Sequence, residues 1–169
     1  SQGLLEGMKI QSADALTAAA VAGGQYWHEG YNPYDAFALR DGHAEIPGPL
    51  RELIERGDAA AILMTQGTMY PQGRVRPVLI KGIAPEQSIL ALPTHFLLDP
   101  STPLPALIGT RLARRTWLGV GDEVTLQWRD VHGTFDARDA RIVQVMRTSV
   151  QAVDEGQVWV PLETLRGLT

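Results

Sequence analysis

Residues 107–126, LIGTRLARRTWLGVGDEVTL, constrain the fold more than any other stretch of the chain. Leu107 and Ile108 read as the end of a short buried strand, and Gly109 gives a turn. Thr110 is placed to cap a helix over Arg111–Trp117, with Leu112 and Ala113 facing inward. Gly119 stops that helix and Val120-Gly121-Asp122 turns the chain again. Glu123–Trp128 then returns as a strand in which Val124 and Leu126 alternate with polar residues. None of these residues is an evident acid, base, nucleophile or ligand set, so the stretch reads as structural.

With 169 residues, the chain suffices for one ordinary domain or two small subdomains sharing a surface. Its 44% hydrophobic and 20% charged content is that of a globular protein, not a disordered one. A formal charge of −4 argues against a nucleic-acid partner, and no Lys/Arg stripe with interleaved aromatics offsets it. Arg111, Arg114 and Arg115 form the nearest candidate, and their ordinary reading is a solvated helix face. The absence of cysteine removes disulfides, thiolate metal sites and cysteine nucleophiles together, without fixing the compartment. No run reaches the ~18 apolar residues of a membrane span, and no signal-peptide pattern opens the chain.

The rest of the chain mixes helices and strands without strict alternation, which predicts an α+β fold. Leu4, Leu5 and Met8 begin an apolar face, Ser12 is a candidate cap for a helix over Ala13–Ala22, and Gly23-Gly24 would stop it. Gln25–Glu29 is a short strand candidate, followed by a surface connection over residues 30–48. Residues 48–57 predict a helix with Pro49 in its first turn, Leu50, Leu53 and Ile54 inward, Glu52–Arg56 as an i,i+4 pair, and Gly57 as stop. Ala59–Gln66 reads as a buried strand, Thr68–Gly73 as a loop built on a type I turn at Tyr70-Pro71-Gln72-Gly73, and Arg74–Gly82 as the return strand. Pro77 would mark an edge or bulge there. Residues 84–105 hold five prolines and predict loop, with a turn of helix near Glu86–Leu90, connecting two subdomains. A turn at Trp128–Phe135, a long strand Thr134–Met146, a strand Gln157–Val160 and a helix Leu162–Leu168 after Pro161 complete the chain.

Searching for chemistry yields little. His28, His43, His95 and His132 are isolated, with no HExxH spacing, so no metal ligand set is expected. Ser12, Ser88, Ser101 and Ser149 lack a nucleophile elbow or an S-x-x-K motif. Gly119-Val120-Gly121-Asp122 lacks the ending of a phosphate loop, and the acidic pairs Asp136/Asp139 and Asp154/Glu155 fit solvated turns. No catalytic, cofactor or metal residue is therefore assigned. Tyr26, Trp27, Tyr31 and Tyr34 cluster within nine residues, where flat apolar faces could take a sugar or peptide. Met69, Tyr70, Trp128 and Arg129 fall at predicted hairpin tips, and with Trp27 and Tyr31 they are the candidate partner contacts.

Three stretches, in order, resemble one known family. Residues 107–126 are similar to the pattern "IG..LA..LG...GD.V.L" of the extracytoplasmic core domain of bacterial ABC-transporter permeases, among them lipoprotein-releasing, macrolide-exporting and cell-division permeases. Leu79–Glu86 resembles that family's "v.GidPe", and Val158–Leu165 its "v.vpl.tlq.l" before the second membrane span. The resemblance implies a non-enzymatic α+β domain of two small subdomains, one inserted in the other: about 1–67 plus 151–169, and about 68–150. It implies a periplasmic position on a bacterial inner membrane, cut between two spans of a longer parent, with Ser1 and Gln2 native or added. It further implies no cofactor, and as partners a cytoplasmic ATPase, a second permease copy or paralogue, and periplasmic cargo. Some lipoprotein-releasing members carry a long proline-containing hairpin that recruits a chaperone, where this chain has only the short turn Trp128–Phe135. The rival readings are a stand-alone carbohydrate- or peptide-binding module using Tyr26–Tyr34, and a small hydrolase with scattered acids.

Overall fold

A computed structural model describes residues 15–21, 37–39, 48–130, 132–147 and 156–169. Within them the elements run β1 (Ala15–Val21), β2 (Phe37–Leu39), α1 (Gly48–Glu55), β3 (Ala59–Tyr70), β4 (Arg76–Ile83), β5 (Pro105–Gly109), α2 (Thr110–Thr116), β6 (Glu123–Arg129), β7 (Phe135–Met146), β8 (Gln157–Pro161) and α3 (Leu162–Leu168). Mixed strands and helices in this order make an α+β fold.

Its centre is a closed ring of strands. The sheet runs β2-β1-β3-β4-β8-β5-β7-β6, and β6 pairs again with β3. That last seam, Gly67↔Trp128 to Tyr70↔Thr125, closes β3-β4-β8-β5-β7-β6 into a six-stranded barrel. β3 is long enough to serve both roles: its first half pairs with β1 (Ala59–Thr65), its second with β6, and β4 runs along its other edge. The pairs β4/β8 and β5/β7 are parallel; the others are antiparallel. Closure leaves the barrel strands without a free edge at the seam.

Period-two alternation divides the side chains between two cores. Inside the barrel lie Leu63, Met69, Ile80, Ile108, Leu126, Ile142, Val158 and Val160, with Leu112 of α2 and Leu165 of α3. The opposite parity, Ile62, Met64, Ile83, Leu107 and Trp159, forms an outer core roofed by Leu90 and Leu97 from the proline-rich segment. β5 leads into α2 and β8 into α3, and these neighbouring strands are antiparallel. The two helices therefore close opposite mouths of the barrel.

Several expectations are corrected. The alanine-rich run forms strand β1, not a helix, because it lies in register against Ala59–Thr65, where sheet pairing overrides alanine's helical preference. Residues 37–39 of the expected surface connection form β2 against it; the strand expected at 25–29 lies outside the described residues. β3 continues through Thr68 and Met69 to Tyr70 and β4 begins at Arg76, so the connection is residues 71–75, with its turn at Pro71–Gly73. Gln72 (φ 52°) and Gly73 (φ 78°) are both left-handed, and the Arg74 N–H donates to the Pro71 carbonyl at 3.0 Å. That is a type I′ turn, which matches the twist of the strands it joins, rather than type I. Arg56 meets Asp58 at 3.5 Å rather than Glu52. Thr110 does not cap α2: its hydroxyl donates across to the Met146 carbonyl at 3.3 Å.

No helix forms at Glu86–Leu90. The side chain of Gln87 replaces it as organiser, accepting from the Leu90 N–H at 2.8 Å and donating to Thr94 Oγ1 at 3.1 Å and the Leu90 carbonyl at 3.3 Å. Thr94 in turn donates to the Pro85 carbonyl at 3.1 Å and starts a short 3-10 turn, Thr94–Leu98. Gln87→Ala removes all three contacts and is expected to cost about 1–2 kcal/mol. Faster hydrogen exchange at the Leu90 amide, with barrel amides unchanged, is the measurement that checks it.

Candidate functional site

The expected partner contacts fall in different places. Met69 is fully buried and Trp128 is 2% exposed, so neither is a surface contact. Both follow strand parity inward: Met69 continues the interior face of Ala61 and Leu63, and Trp128 that of Val124 and Leu126. The Trp128 indole N–H donates to the Leu168 carbonyl at 3.2 Å, tying β6 to the end of α3. Tyr70 is half-buried and its hydroxyl donates to Gln127 Oε1 at 2.6 Å, across the closing seam. Arg129 is exposed, 4.8 Å over the ring of Phe135. Trp27 and Tyr31 lie outside the described residues. The alternation Val124, Leu126, Trp128 was the signal that could have placed Trp128 inside.

Two features emerge that motif reading passed over. The first is a cleft of about 410 Å³ at the α3 mouth, lined by Glu86, Leu97, Leu98, Asp99, Pro105 and Glu163 among others. The Asp99 carboxyl is held below its ordinary range by hydrogen bonds from the Ser101 side chain and backbone. Among the described residues no group of three His, Cys, Asp or Glu is placed to hold a metal. The second is a buried cation. Lys81 is fully buried in the outer core, its Nζ 4.9 Å over the Trp159 ring and without a hydrogen-bond partner among the described residues. Desolvation lowers its pKa to about 7. The Trp159 indole nitrogen and Gln157 Oε1 are also buried without partners there.

Lys81 also marks where the three family-like stretches meet. It stands opposite Trp159 in the β4/β8 pairing, and Trp159 stands opposite Leu107 in the β8/β5 pairing. One row across three adjacent strands thus takes one residue from each stretch.

No protein-family model matches the chain, and no curated protein matches it. Among solved structures, the extracellular domain of the noncanonic ABC-type transporter YknZ from Gram-positive bacteria is similar to it. The likeness covers 62% of this chain and 54% of that one, at 11% identity and a TM-score of 0.38. This chain thus spans about half of that domain. Among the described residues no helix is long and apolar enough to cross a membrane.

Proposed function

We propose that this chain is a non-catalytic extracytoplasmic domain of an ABC-transporter permease, held at the periplasmic face of a bacterial inner membrane. The observation that supports this reading is the Lys81–Trp159–Leu107 row: stretches 79–86, 107–126 and 158–165 are remote in sequence but lie side by side as β4, β8 and β5. A family pattern spread over three segments gains weight when those segments build one structural unit.

In this reading α3 leads toward the bilayer and the connection on the other side lies in residues before β1. A cytoplasmic ATPase supplies the motion, a second permease copy or paralogue faces this one, and the cargo is periplasmic: a lipoprotein, lipid or peptide. Residues 1–67 with 151–169 are assigned to one subdomain and 68–150 to the other, the two sharing the ring: β3 runs through the boundary at Gly67, and β8 of the first lies between β4 and β5 of the second. Arg129 and Tyr70 remain candidate partner contacts. Coupling of this kind needs an element with two arrangements that both ends bias.

The test is the mass of the native full-length polypeptide and its partition between membrane and soluble fractions. A larger polypeptide that leaves the membrane only with detergent is the expected result. A soluble polypeptide no larger than this chain overturns the reading, and the Tyr26–Tyr34 cluster as a sugar- or peptide-binding module becomes the reading to pursue.

A further inference from the structure

α2 ends in an unusual way. Trp117 occupies its C-cap in the left-handed conformation (φ 58°, ψ 29°), where glycine or asparagine avoids a steric cost that a bulky residue bears. The Leu118 N–H donates back to the Ala113 carbonyl at 3.1 Å and the Leu118 side chain is buried, so the conformation is held from both sides. What this arrangement does is turn the indole outward: Trp117 is 77% exposed, and Val120 beside it 63%.

The support beneath them is rigid. Gly119–Asp122 is a turn in which the Asp122 N–H donates to the Gly119 carbonyl at 3.0 Å and Asp122 Oδ2 accepts from the Gly119 N–H at 2.8 Å. Gly121 (φ 95°) donates to the Ile142 carbonyl at 2.7 Å, fastening the turn to β7. Two large apolar groups are thus presented on a fixed platform, an arrangement that reduces the ordering cost of binding. The solvent side of α2 adds the exposed Arg114, three residues before Trp117 on the helix, and the nearest acid in the chain, Asp122, is occupied by the Gly119 N–H. Tryptophan and arginine are the side chains most enriched where a protein surface contributes most to binding.

We propose that Trp117 and Val120, with Arg114 beside them, form a docking surface for another protein, whose face offers an apolar socket rimmed by carboxylates. Charge complementarity selects the acidic rim. The choice of a protein over an anionic bilayer rests on the reading above: α3 leads to the membrane, and α2 closes the opposite mouth of the barrel.

The test uses the full-length polypeptide in its native membranes, with a benzophenone amino acid at Val120 and, as control, at Phe135. The expected product joins position 120 to a segment of a different protein in which apolar residues are flanked by Asp or Glu. Its yield falls about tenfold or more in Trp117→Gly and in Arg114→Glu, and it falls as salt is raised. Trp117→Gly leaves the thermal midpoint unchanged or higher, since glycine suits the left-handed cap, so loss of crosslinking is not loss of fold. Crosslinking to lipid, to a second copy of the chain, to nothing, or to a protein equally well in both variants overturns the proposal. Recovery of the polypeptide in the soluble fraction before irradiation counts against the permease reading alone; a crosslink with the stated dependences then still supports the surface.

Discussion

Lys81→Met is expected to stabilise the chain below neutral pH and to flatten the dependence of its stability on pH. Lys81 is fully buried against Trp159, and burial lowers its pKa from the ordinary lysine value of 10.5 to about 7. Between those two values the unfolded chain holds a proton that the folded chain has released, so stability rises with pH. Below about pH 7 both states are protonated and the folded state bears the full cost of a desolvated ammonium. Above about pH 10.5 both are neutral and the cost is gone. Converting the shift gives on the order of 3–5 kcal/mol across that window. Methionine keeps the unbranched stem in the outer core and removes the charge, as replacement of buried ions by apolar side chains often stabilises. Urea unfolding of both proteins at pH 6, 8 and 10 checks it: a large gain at pH 6 that shrinks toward pH 10 is expected, and parallel curves would show that Lys81 is not the cause.

Gly67→Val is expected to open the barrel. A Cβ at this position would come within 2.6 Å of Ile80 Cδ1 and 2.7 Å of the Gln127 carbonyl oxygen. The isoleucine can turn aside; the carbonyl belongs to β6 and cannot move without parting the seam. The expected cost is about 3 kcal/mol or more, with Gly67→Ala intermediate, because overpacking here displaces backbone and not only side chains. Hydrogen exchange should accelerate first at the β6 amides Thr125–Trp128. Gly119→Ala is the matched control, since its new Cβ meets nothing nearer than Asp122 Oδ2 at 3.9 Å and should change stability little.

These two residues also show where sequence reading succeeds and stops. The strand–helix–strand unit of 107–126, the helix between Pro49 and Gly57, and the β8–α3 junction at Pro161 were all legible, since proline, glycine and local alternation specify them. The ring closure was not. Gly67 looks like punctuation between a strand and a loop, yet it pairs with both β4 and β6, and a side chain there would run into both. That requirement comes from a neighbour some sixty residues away and leaves no mark in the local pattern. The same holds for Ala15–Val21, whose composition favours a helix until Ala59–Thr65 is set beside it. Trp117 was read as the last residue of a helix stopped by Gly119; the earlier stop depends on its own left-handed backbone, which its residue type gives no reason to expect. Lys81 alternates with Leu79 and Ile83 and looks like a polar interruption; only the packing of Trp159 and the proline-rich roof shows that it never reaches water.

The position of β8 has a mechanical consequence. It is bonded on one side to β4 over five parallel registers and on the other to β5, and it passes directly into α3. A pull on α3 directed along β8 therefore runs parallel to the strand, loading its hydrogen bonds in shear all at once instead of peeling them one by one. The Trp128 indole N–H holds the far end of α3 to β6, so the helix is fastened to the ring at both of its ends and a load on it is shared between β8 and β6.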